Sequence, residues 1–192
     1  VATMLGPVVT GATIIGLILA WAYSAPPVRL KKNGWWGNAA CGFSYEGLSW
    51  VTGAAIMTGG AWPEPRTIVL AVLYSLGAHG IMTLNDFKSI DGDTRTGIGS
   101  LPVRLGAEKA GLVACLFMTL AQIAVVACLV IWGLLWPAAV VGALIAAQVV
   151  LMRRLLENPA ERAPWYNATG VGLFVLGMLI SAIAIRPALS LA

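Results

Sequence analysis

The chain has 192 residues, of which 59% are hydrophobic and 10% charged, with a mean hydropathy of +0.85 and a formal net charge of +4. Soluble domains carry about 25% charged residues, and a water-soluble globule of this composition would expose more apolar surface than monomers tolerate. A soluble enzyme, a disordered tail and a nucleic-acid partner are therefore excluded, and the lipid bilayer is the expected surroundings.

A bilayer core of about 30 Å asks for about 20 mostly apolar residues per helix. Six runs meet or approach that length: 4–23, 38–58, 67–84, 110–131, 136–152 and 167–185. The fourth carries no charge from Ala110 to Ile131. The prediction is thus an all-α polytopic membrane protein with six transmembrane helices in one domain spanning 1–192. Apart from Arg66 and Arg186, the 12 Lys and Arg residues fall in three stretches, at 29–32, 88–109 and 153–162. With six alternating spans, the connections 24–37, 85–109 and 153–166 share one membrane side, and the positive-inside rule makes it the cytoplasmic one. A multi-pass protein of a cell's inner, or intracytoplasmic photosynthetic, membrane fits this pattern. Cys41, Cys115 and Cys128 stand singly in apolar surroundings and read as small buried hydrophobes. Val1 is not an initiator and the first run starts almost at once, so the domain is expected to be N-terminally incomplete.

One connection carries more chemistry than a linker needs. It reads NDFKSIDGDTRTGIGSLPVRLG from Asn85 to Gly106, and it sets Asp86, Asp91 and Asp93 beside Lys88, Arg95 and Arg104. If the preceding helix continues, Asp86 and Asp93 lie two turns apart on one face and Asp91 points about 140° away from Asp86. One reading is a solvated loop with weak surface pairs. The other is a Mg²⁺–diphosphate site, since Mg²⁺ is held by one or two carboxylates plus phosphate oxygens while Arg and Lys neutralise the remaining charge. A second basic stretch, YSAPPVRLKKNGWWGN from Tyr23 to Asn38, contains Arg29, Lys31 and Lys32 and falls on the same predicted side. A proline stop with an aromatic interface anchor explains Trp35, Trp36 and Lys32, and an anion held between the two loops explains why both are cationic.

These two stretches together resemble the tyrosine–proline loop and the second aspartate-rich motif of the UbiA-type membrane prenyltransferases. The likeness is greatest to the chlorophyll synthase branch, and Gly42–Trp50, Leu76–Leu84 and Ala163–Gly170 resemble the bacteriochlorophyll synthases in particular. The resemblance implies a nine-helix bundle, six helices of which are present here. It implies Mg²⁺-dependent prenyl transfer from geranylgeranyl or phytyl diphosphate to the 17-propionate of a (bacterio)chlorophyllide. It also implies metal binding by Asp86, Asp91 and Asp93, catalysis with Lys88 and Arg95, and substrate binding by Asn85, Tyr23, Arg29, Lys31, Lys32 and Arg104. The family's first aspartate-rich motif is absent, and Ser89 stands where many relatives have aspartate, which leaves open which two of the three aspartates hold metal.

Glu46 and His79 lie within the second and third runs, and an ionisable residue at membrane depth is costly unless it has a function or a partner. His79 is two turns before Asp86, so it reads either as a neutral histidine bonded to a neighbouring helix or as a pigment contact. Glu46 reads either as a helix-bonded carboxyl or as part of the polar rim of the cavity. Two other activities compete. A UbiA-type enzyme with a quinone or haem acceptor would lack the pigment-branch segments. A transporter or non-catalytic membrane subunit favours inverted repeats and broken mid-membrane helices, whereas the polar residues here gather at one mouth.

Overall fold

The structure, a computed structural model, describes residues 1–186. Helix α1 (Pro7–Ser24) leads through a short turn to a helical rod made of α2 (Gly34–Gly42), a π-helical turn (Phe43–Leu48) and α3 (Ser49–Met57). Helix α4 (Pro65–Asp86) is prolonged by a 3-10 turn (Phe87–Ser89) and α5 (Ile90–Thr96). The short α6 (Leu101–Leu105) then feeds α7 (Ala107–Ile131), α8 (Leu135–Glu157) and α9 (Pro159–Ile185). Prolines sit in the first turn of α1, α4, α6 and α9, where the missing N–H has no helical partner to lose.

Among the described residues, five helices are long and apolar enough to cross a membrane: α1, α4 with its extension, α7, α8 and α9. The protein is a multi-pass membrane protein of the all-α class. The expected count of six uninterrupted spans is corrected at 38–58, where the π turn divides the rod. Its cause is visible against α4. A Cβ on Gly42 would meet the Ser75 carbonyl oxygen at 2.7 Å, and one on Gly47 would meet the Ser75 hydroxyl at 2.8 Å. Two glycines five residues apart thus abut one residue, which suits the i→i+5 period of a π turn. In an α-helix they would point about 140° apart.

Helix α4 is the centre of the bundle: 61% of its apolar window is buried inside the protein, against 17% for α1 and 22% for α8. In a bilayer, helices gain little from hydrophobic contact and pack instead through small residues and polar links. Gly80 of α4 lies so close to the Ala114 carbonyl of α7 that a Cβ would come within 2.4 Å, and Gly77 faces the Phe174 ring of α9. Tyr74 is fully buried and hydrogen-bonds Ser181 of α9 at 2.8 Å, with Trp50 stacked on it and Phe174 edge-on.

Two of the three basic connections are also more ordered than their sequences suggest. Residues 85–109 are mostly helical, and 153–166 is a near-continuous helical hairpin broken at Asn158. The Asn158 side chain accepts from the Glu161 N–H at 3.5 Å, Pro159 begins α9, and Arg162 binds both Glu157 and the Arg154 carbonyl. Arg154 in turn covers the Trp165 ring at 5.1 Å.

Candidate active site

The C-terminal half of α1, the first half of the rod and the end of α4 enclose a cavity of about 610 Å³. Helix α1 supplies Gly16, Leu19, Ala20 and Tyr23; α2 supplies Asn38, Ala40 and Cys41; and the π turn supplies Ser44 and Tyr45. Met82, Asn85, Asp86, Lys88 and Ser89 close the far side. A smaller, more polar cavity of about 130 Å³ shares Tyr23, Asn38, Asp86 and Ser89 with it and adds Lys31, Gly34, Gly37, Asp93, Ile98 and Ser100.

The small cavity exists because the two motif loops are tied together. The Gly34 N–H donates to the Gly99 carbonyl at 2.8 Å, and the Gly99 N–H donates to the Lys32 carbonyl at 3.1 Å. Only glycine fits at 34, since a Cβ would stand 2.5 Å from the Leu101 nitrogen. Asn33 fixes the start of α2 by accepting from the N–H groups of Trp35 and Trp36 at 3.0 and 3.5 Å. Lys31 is thereby carried to the same space as Asp86 and Asp93.

Asp86 and Asp93 each lie beside one neutral polar side chain, and the single proton of the Ser89 hydroxyl is shared between Asp93 and the Asp86 backbone carbonyl. Asn38 Nδ2 donates to Asp86 Oδ2 at 3.0 Å, and Ser89 Oγ lies 2.9 Å from Asp93 Oδ2. Asn85 is held from α9, its Oδ1 accepting from Asn167 Nδ2 at 3.1 Å. Among the described residues the ion pairs are Arg66–Glu64 and Arg162–Glu157, so neither Asp86 nor Asp93 is paired with a cation, and neither Lys31 nor Lys88 with a carboxylate. The Ser100 hydroxyl, in the wall of the small cavity, is buried without a hydrogen-bond partner. Two uncompensated carboxylates, the free Lys31 ammonium and an orphaned hydroxyl around the small cavity, with Lys88 on the wall of the adjoining larger one, are what a metal-bound anion would satisfy.

The structure therefore brings Tyr23, Lys31, Asn85, Asp86, Lys88 and Asp93 to the cavity walls. It leaves others away from them. Asp91 is exposed on the outer side of α5, and no group of three His, Cys, Asp or Glu side chains converges as a metal site among the described residues. Arg95 is exposed on the same short helix, Lys32 is exposed, and the Arg104 side chain lies over Gly99. Arg29 sits half-buried in the left-handed region at φ 42° with its Nε buried and unpartnered.

His79 and Glu46 line neither cavity. His79 is 5% exposed, its Nε2 lies 3.1 Å from the Trp35 carbonyl, and its ring stacks on Phe117 at 4.4 Å. A carbonyl only accepts, so Nε2 carries the proton, and the ring joins α2, α4 and α7. Glu46 is half-buried in the π turn, and its side chain forms no hydrogen bond or ion pair with a described residue. Asn38, Cys41, Ser44, Tyr45 and Ser100 are wall residues that motif reading misses. A signal for Asn38 was present, as an amide at the same end of an apolar run as the aspartates.

The profile of the UbiA prenyltransferase family matches residues 1–177. The chain is 54% identical over 183 residues to the bacteriochlorophyll synthase 33 kDa chain of Cereibacter sphaeroides, covering 95% of this chain and 60% of that protein. It is 45% identical to the bacteriochlorophyll synthase 34 kDa chain of Chloroflexus aurantiacus over 96% of this chain and 59% of that one. It is 39% identical to the chloroplastic chlorophyll synthase of Avena sativa over 93% of this chain and 47% of that one. No solved structure matches significantly. The chain spans about 60% or less of the length of these relatives, and with its family profile matched over 1–177 it belongs to the UbiA prenyltransferase family.

Proposed function

We propose that the protein transfers a prenyl group from a prenyl diphosphate, geranylgeranyl or phytyl, to the propionate of a (bacterio)chlorophyllide, the last step of (bacterio)chlorophyll synthesis. The observation that carries this reading is the pair Asp86 and Asp93 on one small polar cavity with Lys31, adjoining a larger cavity with which it shares Tyr23, Asn38, Asp86 and Ser89 and which has an apolar side formed by Gly16, Leu19, Ala20, Ala40 and Met82. The names of the bacteriochlorophyll and chlorophyll synthase relatives support the choice of acceptor. Carboxylate oxygens without a counter-cation fit a divalent ion, and Mg²⁺ suits hard oxygen donors that share it with phosphate.

Asp86 and Asp93 would hold the divalent ion, which would supply the charge that stabilises the leaving diphosphate. Lys31 and Lys88 neutralise the remaining phosphate charge. Asn85, whose Oδ1 is taken by Asn167, keeps its Nδ2 donor for the substrate. Gly16, Leu19, Ala20 and Met82 exclude water from the allylic carbon. A further cavity of about 410 Å³, bordered by Val8, Ile15, Phe43, Leu48 and Trp62, continues along α1 and suits an isoprenoid tail. The acceptor is already a carboxylate near neutral pH, since carboxylic acids titrate near about 4, so no general base is needed. The mouth of the site faces the cytoplasm.

The test is a reconstitution of the purified protein in nanodiscs with Mg²⁺, geranylgeranyl diphosphate and either chlorophyllide or a quinone-ring acid. Esterified pigment with release of diphosphate is the expected product. Prenylation of the ring acid alone would overturn the assignment of the acceptor.

A further inference from the structure

Asn38 is 6% exposed and stands on the rod where it faces α4, at the wall shared by both cavities. Its Nδ2 donates twice, to Asp86 Oδ2 at 3.0 Å and to Thr83 Oγ1 at 3.2 Å. Thr83 is fully buried, and its hydroxyl donates to the His79 carbonyl at 2.9 Å. The single proton of that hydroxyl is thereby committed, so towards Asn38 it acts as an acceptor. The direction of the chain fixes the amide: both N–H bonds of Asn38 are aimed at Thr83 and Asp86, and the flipped amide would set an oxygen against the carboxylate.

We infer that Asn38 is a positioning residue for Asp86, oriented by Thr83, which holds Oδ2 of the carboxylate and leaves Oδ1 to face a cation. Asn38 Oδ1 accepts no hydrogen bond within the described residues and is not among the buried unpartnered atoms, so it stays open to the cavity as a neutral oxygen acceptor beside the carboxylate. This inference rests on the proposed reading of the cavity as a metal–diphosphate site. An amide donor steadies a carboxylate without cancelling its charge, whereas a lysine there would compete with the metal.

Mn²⁺ binding read by electron paramagnetic resonance tests this, with the purified protein in nanodiscs and a non-hydrolysable prenyl thiolodiphosphate present. Asn38→Ala is expected to weaken Mn²⁺ binding roughly tenfold, the size of one charge-assisted hydrogen bond. Thr83→Val, which lines neither cavity and keeps the side-chain volume, should weaken it severalfold by freeing the amide to turn. Thr83→Ser keeps the orienting hydroxyl and should bind as the unmodified protein does. Melting temperatures read alongside separate these effects from loss of fold, and Thr83→Val carries the test if Asn38→Ala does not fold. Unchanged Mn²⁺ affinity in Asn38→Ala and Thr83→Val, with binding lost in Asp86→Asn, overturns the role of Asn38 and spares the site. Unchanged affinity in Asp86→Asn as well overturns both.

Discussion

Replacing Gly34 by alanine should separate the two motif loops without touching any charged group. A Cβ at this position would lie 2.5 Å from the Leu101 nitrogen and 2.9 Å from the Ser100 carbonyl carbon, where ordinary contact begins at 3.4 Å. Both neighbours are backbone, so the loops must part by about 1 Å, and no rotamer change relieves the clash. That displacement weakens the Gly34–Gly99 and Gly99–Lys32 hydrogen bonds, at about 1 kcal/mol each, and adds overpacking strain of about 1–3 kcal/mol. A total of about 3–5 kcal/mol corresponds to a fall in Tm of roughly 6–20 °C for a chain of this size. Because Lys31 and Asp93 are carried by the two loops, affinity for a prenyl thiolodiphosphate should fall as well, measured by calorimetry in nanodiscs. Gly92→Ala is the control: nothing lies within 4 Å of a Cβ there, so it should be neutral or stabilise α5 by about 0.5–1 kcal/mol. A Gly34→Ala protein that melts and binds like the unmodified one would refute the loop tie as the basis of the site.

Three further outcomes are expected. Asp86→Asn and Asp93→Asn should each lower prenyl transfer by about 100-fold or more, whereas Asp91→Asn, exposed outside the cavity, should change it less than about threefold; equal losses in all three, measured as initial rates, would show that position in the cavity does not matter. His79→Phe should lower the melting temperature while leaving the affinities for pigment and prenyl diphosphate in the folded protein alike, because the ring joins helices and does not line the cavities. Single cysteines placed at Lys32, Arg95 and Arg153 should be protected from membrane-impermeant maleimide in intact cells, and labelling of any of them from outside would contradict a cytoplasmic mouth.

Much of the fold is legible in the sequence because bilayer helices announce themselves by length and hydropathy alone. The runs near 4–23, 67–84, 110–131 and 136–152 are all helices, with boundaries displaced by a few residues. The interruption at Phe43–Leu48 is not legible, since it depends on two glycines meeting one serine of another helix, and no periodicity within a single run reports that. The hairpin at 153–166 is hidden for a related reason: charge and proline suggest a loop, while the Asn158 cap and the Arg154–Trp165 contact keep both helices going. Within the site, Asp86 and Asp93 are expected on one face because helical spacing places them there, and Asp91 away from it. Asn38 escapes notice because its partners are 45 and 48 residues distant. Rarity at membrane depth draws attention to His79 and Glu46, but the Trp35 carbonyl meets only part of the burial cost of His79, through Nε2, and rarity says nothing about which side of a helix faces the cavity.

The location of the diphosphate is the central matter, and one measurement reaches it directly. A crystal of the protein grown with Mn²⁺ and a prenyl thiolodiphosphate, measured at the manganese absorption edge, reports the metal by its anomalous scattering. The metal should appear in the small cavity between Asp86 and Asp93, with the diphosphate towards Lys31 and Lys88. Manganese at the outer face of α5, beside Asp91 and Arg95, with the small cavity empty, would contradict the assignment of the active site.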